Sequence, residues 1–297
     1  MPSRTPSHAE SATESCSLYS DGQHQLVQKH YTEAEKFYQQ ALDKDPSSAD
    51  GLSGVINTYF AQKQFDKAIA AANAQIAKSP NNSNFYDLLG TALFNGKKDL
   101  PGAEAALRKT IELDKSNVDA LEKLGKVQVQ EGSADQALAL YLQFIKGNPR
   151  EVTFYILSGE LYEAKKDWNQ AKAMYQQALS ISPDHPLASN NVAYVILEQG
   201  GNVDVAMGMA QTARRGMPDL SAAADTLGWA YYQKGIYQSA IKQFQNDFTT
   251  EFLISPISSL VRKARFWHAS QQREHSAEYR KKARIQSPTS GRSQTKR

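Results

Sequence analysis

Apolar residues along most of the chain recur three and four positions apart rather than at every second position. Leu52, Val55, Ile56 and Tyr59 form one such stripe, and Ala68, Ile69, Ala72 and Ile76 form the next. This is the spacing of helices that each bury one face. Short polar turns separate the stripes, as at Lys63-Gln64-Phe65-Asp66, Gly132-Ser133-Ala134-Asp135, Lys166-Asp167-Trp168-Asn169 and Lys234-Gly235-Ile236-Tyr237. The pattern predicts antiparallel helix pairs and no strands.

The pairs repeat. Alanine recurs at Ala34, Ala68, Ala103, Ala137, Ala171, Ala206 and Ala240, at intervals of 34 or 35 residues. Twelve or thirteen positions earlier stand Gly22, Ile56, Gly90, Gly125, Gly159, Ala193 and Gly228. All but one are small, which lets two helices approach closely. Twelve positions after the alanine come Pro46, Pro80, Pro149, Pro183 and Pro218, with Lys115 in the third copy. Proline lacks a backbone donor and so marks the end of a helix. Two copies carry one extra residue, predicted to fall in the turns at Gly96–Gly102 and Gly200-Gly201-Asn202, where a longer connection costs little closure entropy.

These residues resemble the tetratricopeptide repeat (TPR) family, whose unit is a 34-residue helix-turn-helix. The carrying motifs are Leu227-Gly228-Trp229-Ala230-Tyr231-Tyr232 with Ala240 and Phe244, and Tyr155, Gly159, Tyr162, Ala171, Tyr175, Ala178 and Pro183. The resemblance implies an all-α TPR α-solenoid, a right-handed superhelix of antiparallel helix pairs. About seven repeats are expected, near 18–48, 49–82, 83–117, 118–151, 152–185, 186–220 and 221–247. A single pair cannot bury its apolar face alone, so neighbours must stack and share a core.

In this family the first helix of each pair lines a concave groove, and the groove binds proteins. Carried onto this chain, the deepest groove positions are Asn57, Thr91, Lys126, Glu160, Tyr194 and Trp229. One turn earlier lie Ser53, Asp87, Glu122, Ile156, Asn190 and Asp225. With Asp50, Asp119, Glu163 and Glu198, the groove counts eight acidic side chains against one basic, Lys126, and a basic or amphipathic peptide is its expected ligand. Tyr194, Trp229 and Tyr232 supply aromatic anchors at its C-terminal end. A subgroup of the family clamps C-terminal carboxylates with Lys and Asn on successive first helices. This chain offers Asn57 but then Asp87 and Leu88, so acidic tails are not the expected ligand.

The 297 residues carry 34 Lys and Arg against 31 Asp and Glu, a net +3. The charge is uneven: residues 262–297 hold 11 Lys and Arg against Glu274 and Glu278, about +9, which leaves about −6 for the rest. Residues 1–17, rich in Ser, Thr, Pro and Glu, are expected to be disordered. Ser255-Pro256 opens a predicted C-terminal capping helix, with a basic helical tail carrying on to 285 and disorder over 286–297. Three readings of the tail stand: a solubilising end, a nucleic-acid or anionic-surface contact, or self-association with the acidic groove. Nucleic acid is not the expected main partner.

The six histidines make no metal-ligand spacing, no phosphate loop or Gly-x-Ser-x-Gly elbow is present, and Cys16 is the single cysteine. No enzyme activity, cofactor or metal is expected. No apolar run long enough to span a membrane and no signal peptide is visible, so the default location is cytoplasmic. The expected function is a non-catalytic protein-interaction scaffold. The alternative is an accessory subunit of a bacterial secretion, pilus or polysaccharide-export assembly.

Overall fold

A computed structural model describes residues 8–245, and every regular element among them is helical. Contacts divide the chain into two compact units, with the boundary between Asn148 and Pro149. The first unit contains α1 (His8–Val27), α2 (Tyr31–Lys44), α3 (Ala49–Ala61), α4 (Phe65–Lys78), α5 (Ser83–Ala92), α6 (Leu100–Leu113), α7 (Val118–Gln130) and α8 (Ala134–Gly147). The second contains α9 (Val152–Ala164), α10 (Trp168–Ile181), α11 (Pro186–Glu198), α12 (Val203–Gly216), α13 (Ser221–Gln233) and α14 (Tyr237–Gln245). Within each unit every helix packs on the next, and first helices of successive pairs also touch, as α3 does α5 and α11 does α13.

The repeated alanines explain the pairing. All seven are fully buried, each on the second helix of its pair. Gly22, Gly125 and Gly159 opposite serve the same end by admitting an aromatic ring. A Cβ on Gly125 would lie 1.9 Å from the Tyr141 hydroxyl, and one on Gly159 would lie 2.3 Å from Tyr175 Cε1. Tyr175 and Phe154 in the second unit, and Tyr38 and Phe85 in the first, are wholly or almost wholly buried. Each such ring stabilises by about 1.5–3 kcal/mol relative to an exposed one.

The helix ends follow local chemistry. Ser48, Asn82 and Asn117 cap α3, α5 and α7, each accepting a backbone N–H from the first turn. Pro46, Pro80, Pro183 and Pro218 each lie two residues past the end of a second helix. Between the helices of each pair one residue takes a left-handed backbone: Lys29, Lys63, Lys98, Gly132, Lys166, Gly200 and Gly235. Four of the seven are lysines, which adopt that conformation at a cost glycine avoids.

Two expectations are corrected. Residues 8–17, expected to be disordered, are helical as the start of α1. Polar composition hid this because the segment is held by specific links rather than by large apolar groups: Ser15 Oγ donates to the Ala41 carbonyl at 3.1 Å, and Glu14 pairs with Lys44 at 2.6 Å. The extra residue of the third repeat does not lengthen the turn alone. It is taken up as one turn of π-helix, Leu93–Lys97, continuing α5. The predicted capping helix and basic tail, 255–297, lie outside the described residues, as do 246 and 247 of the seventh repeat.

Candidate functional site

The first helices carry the residues expected to line a binding face, and the two units equip that face differently. In the first unit, Asp87 of α5 and Glu122 of α7 sit one turn ahead of Thr91 and Lys126. Lys123 Nζ lies 2.7 Å from Asp87 and 2.5 Å from Asp119, and Lys126 Nζ lies 2.5 Å from Glu122. Three of the four acids expected on this part of the face are therefore ion-paired. Burial pushes the Asp87 carboxyl up against the pull of Lys123. Burial alone would lower Lys123, but its hydrogen bonds to Asp119 and Asp87 outweigh that and raise it. Asp87 Oδ1 is buried without a hydrogen-bond partner.

Thr91, Lys123 and Lys126 line one cavity of about 190 Å³ together with Phe94 and Asn95 of the π-turn. Asn57 is elsewhere: exposed on α3, its Nδ2 3.4 Å from Ser53 Oγ, beside a cavity of about 450 Å³ bounded by Tyr19, Gln23 and Tyr38. The structure thus groups Thr91 with Lys126 and leaves Asn57 apart from them.

In the second unit Asn190, Tyr194 and Glu198 follow one another at four-residue spacing along α11, and Asp225 and Trp229 do the same on α13. The Tyr194 ring has a tryptophan on either hand: Trp168 with centroids 6.4 Å apart and planes at 62°, and Trp229 at 5.7 Å and 57°. Both fall in the tilted, edge-to-face range in which aromatic pairs attract. All three rings are partly accessible. Tyr232 belongs to another contact, with Tyr237 at 5.7 Å.

Carboxylates border this aromatic row. Glu163, at the end of α9, accepts a hydrogen bond from the buried Tyr175 hydroxyl at 2.9 Å. Its carboxyl is pushed up, first by burial and then by the charge of Glu198, with the Tyr175 bond pulling the other way. The Tyr194 hydroxyl is pushed up to about 12 by burial, then by Glu198, which it also hydrogen-bonds, and by Glu163. Burial and the Glu163 charge push Tyr175 up as well. Each of these two carboxylates accepts a hydrogen bond from a tyrosine hydroxyl, Tyr175 for Glu163 and Tyr194 for Glu198. Glu160, one turn before Glu163, is exposed.

Two groove candidates lie deeper than expected. Ile156 is buried in the core, and Asn190 is only 4% exposed. The Asn190 Nδ2 donates to Asn191 Oδ1 at 3.2 Å, while its own Oδ1 has no partner. Two residues of the face were missed from sequence. Lys123 follows Asp119 by four positions, a helical ion-pair spacing that signals it. Trp168 stands at the first position of α10, in a turn that sequence pattern treats as a mere connection. The described residues hold no group of three or more His, Cys, Asp or Glu suited to a metal ion, and no helix long and apolar enough to cross a membrane.

Comparison with known proteins agrees with this architecture. Family models described as tetratricopeptide repeat match residues 26–91, and 86–152 and 122–186. Cellulose synthase operon protein C of Pseudomonas fluorescens is 28% identical over 156 residues, 50% of this chain and 12% of that protein. Anaphase-promoting complex subunit 3 of Schizosaccharomyces pombe is 23% identical over 205 residues, 69% of this chain and 30% of that protein. The chain thus spans less than a third of either relative. The crystal structure of yeast Tom70 superimposes with a TM-score of 0.61 at 16% identity, covering 95% of this chain and 59% of that one, a likeness of fold.

Proposed function

The chain belongs to the tetratricopeptide repeat family, and from that premise we propose that it is a protein-binding scaffold whose first-helix face holds a peptide segment of a partner. The family and fold are generally non-catalytic. The observation that carries the reading is the second unit's row of partly accessible aromatic rings, Trp168, Tyr194 and Trp229, bordered by Glu163 and Glu198. Rigid aromatics beside charge are what binding hot spots use. A carboxylate border favours a segment of opposite sign. Within the second unit Glu160, Asn190, Asp225 and Tyr232 extend the proposed face, and Asn57, Asp87, Thr91, Glu122 and Lys126 are the proposed positions of the first unit's own first-helix face.

The test is capture of partners by the full chain and by a full-length variant carrying Trp229→Ala with Glu160→Lys, quantified side by side. Partners held by this face drop at least tenfold on the variant, the loss typical of a hot-spot aromatic. Equal recovery on both sinks the reading.

A second reading, an accessory subunit of a bacterial polysaccharide-export assembly, draws on the 28% identity to the cellulose synthase operon protein across half of this chain. Its readout is loss of polymer secretion on deletion of the gene.

A further inference from the structure

The second unit sets aromatic faces and carboxylates side by side around α11 and α13. The Tyr194 ring, with Trp168 and Trp229 on either hand, presents electron-rich surface. Such surface attracts ammonium and guanidinium groups over its faces. Glu198 stands close enough to Glu163 for its charge to act there, and each carboxylate accepts a hydrogen bond from a tyrosine hydroxyl.

We propose that Trp168, Tyr194, Trp229, Glu163 and Glu198 form a seat for an arginine or lysine side chain presented by a partner's basic peptide segment. The cation lies against the aromatic row with its N–H groups toward the carboxylates. Arginine fits best, because a planar guanidinium stacks on a ring and donates in fork geometry at once. In the first unit Lys123 and Lys126 already occupy Asp87, Asp119 and Glu122 as internal cations. The inference rests on the scaffold reading and sharpens it to one side chain.

The experiment selects a random dodecapeptide library on the full chain, then remeasures the best peptide with each arginine or lysine replaced by citrulline or norleucine. The expected result is enrichment of Arg or Lys at one position. Its replacement weakens binding by about tenfold or more, as does Glu198→Gln, whereas Glu33→Gln on α2, outside the proposed face, changes binding less than about twofold. A loss as large for Glu33→Gln as for Glu198→Gln means a general charge effect and overturns the seat. Peptides without an essential cation that are still lost on Trp229→Ala overturn the seat and leave the scaffold reading standing. Recovery of no peptide counts against both. A parallel selection uses a full-length variant with Arg280, Lys281, Lys282 and Arg284 changed to Gln. If only that variant recovers peptides, the chain's own tail is the occupant and the assignment to a partner fails.

Discussion

The two units are built from the same repeat, yet their first-helix faces settle charge in opposite ways. In the first, Lys123 reaches across from α7 to Asp87 of α5 while also holding Asp119 on its own helix, and Lys126 holds Glu122. That face is neutralised from within. In the second, Glu163 and Glu198 are held by Tyr175 and Tyr194 hydroxyls, which orient a carboxylate without cancelling its charge. A repeat fold conserves the buried positions of each unit because stacking demands them, and leaves the exposed first-helix positions free to differ. Function can therefore be written into one stretch of the array.

The comparison is broken most severely by striking the packing on which it depends. Gly159→Ala sets a methyl 2.3 Å from Tyr175 Cε1. It should cost about 2–3 kcal/mol and displace the hydroxyl that orients Glu163. Urea unfolding measures the loss. Gly208→Ala in the same unit, where a Cβ meets nothing within 4 Å, is the control and should be neutral or stabilising. A next smaller effect tests neutralisation in the first unit. Lys123→Met strands the buried Asp87 without its cation, for a loss of about 1–3 kcal/mol. Adding Asp87→Asn should recover most of that in a double-mutant cycle.

The second unit should answer a charge removal with the opposite sign. Because burial and Glu198 raise the Glu163 carboxyl above its ordinary value, the folded state holds that proton more tightly than the unfolded chain does. The group's contribution to stability is complete below the unfolded value and is lost as pH rises through the folded one. Glu163→Gln, which still accepts from Tyr175, should therefore raise the melting temperature at pH 7–8. Its advantage should disappear as the pH falls below the ordinary glutamate range. A variant less stable than the parent at pH 8 would contradict the charge picture of this face.

The smallest effect is one the units should share. Lys63 and Lys166, one from each unit, hold left-handed backbones in equivalent turns where Gly132 serves elsewhere. Replacing either with glycine should stabilise by at most about 1 kcal/mol, and Gly132→Ala should cost a similar amount. Thermal scans of the three variants would show whether the turns behave alike in both units.

Much of this molecule was legible in its sequence. The alanine register located seven helix pairs, and the small residues opposite marked where Tyr141 and Tyr175 press in, because both follow from the local geometry of a helix and the volume of one side chain. Tyr194, Trp229 and the run of acids were legible too, by position within the repeat. The partnerships were not. Lys123 meets Asp87 across 36 residues, and Trp168 meets Tyr194 from the first turn of α10 rather than from a first helix. Asn190 loses its expected exposure, and residues 8–17 become helical through contacts to α2. Periodicity dictates which side of a helix is buried, since that is set within a few residues. Which charge is cancelled, which ring is flanked and which acceptor is left without a donor depends on the reach of side chains between elements, and only the tertiary structure decides that.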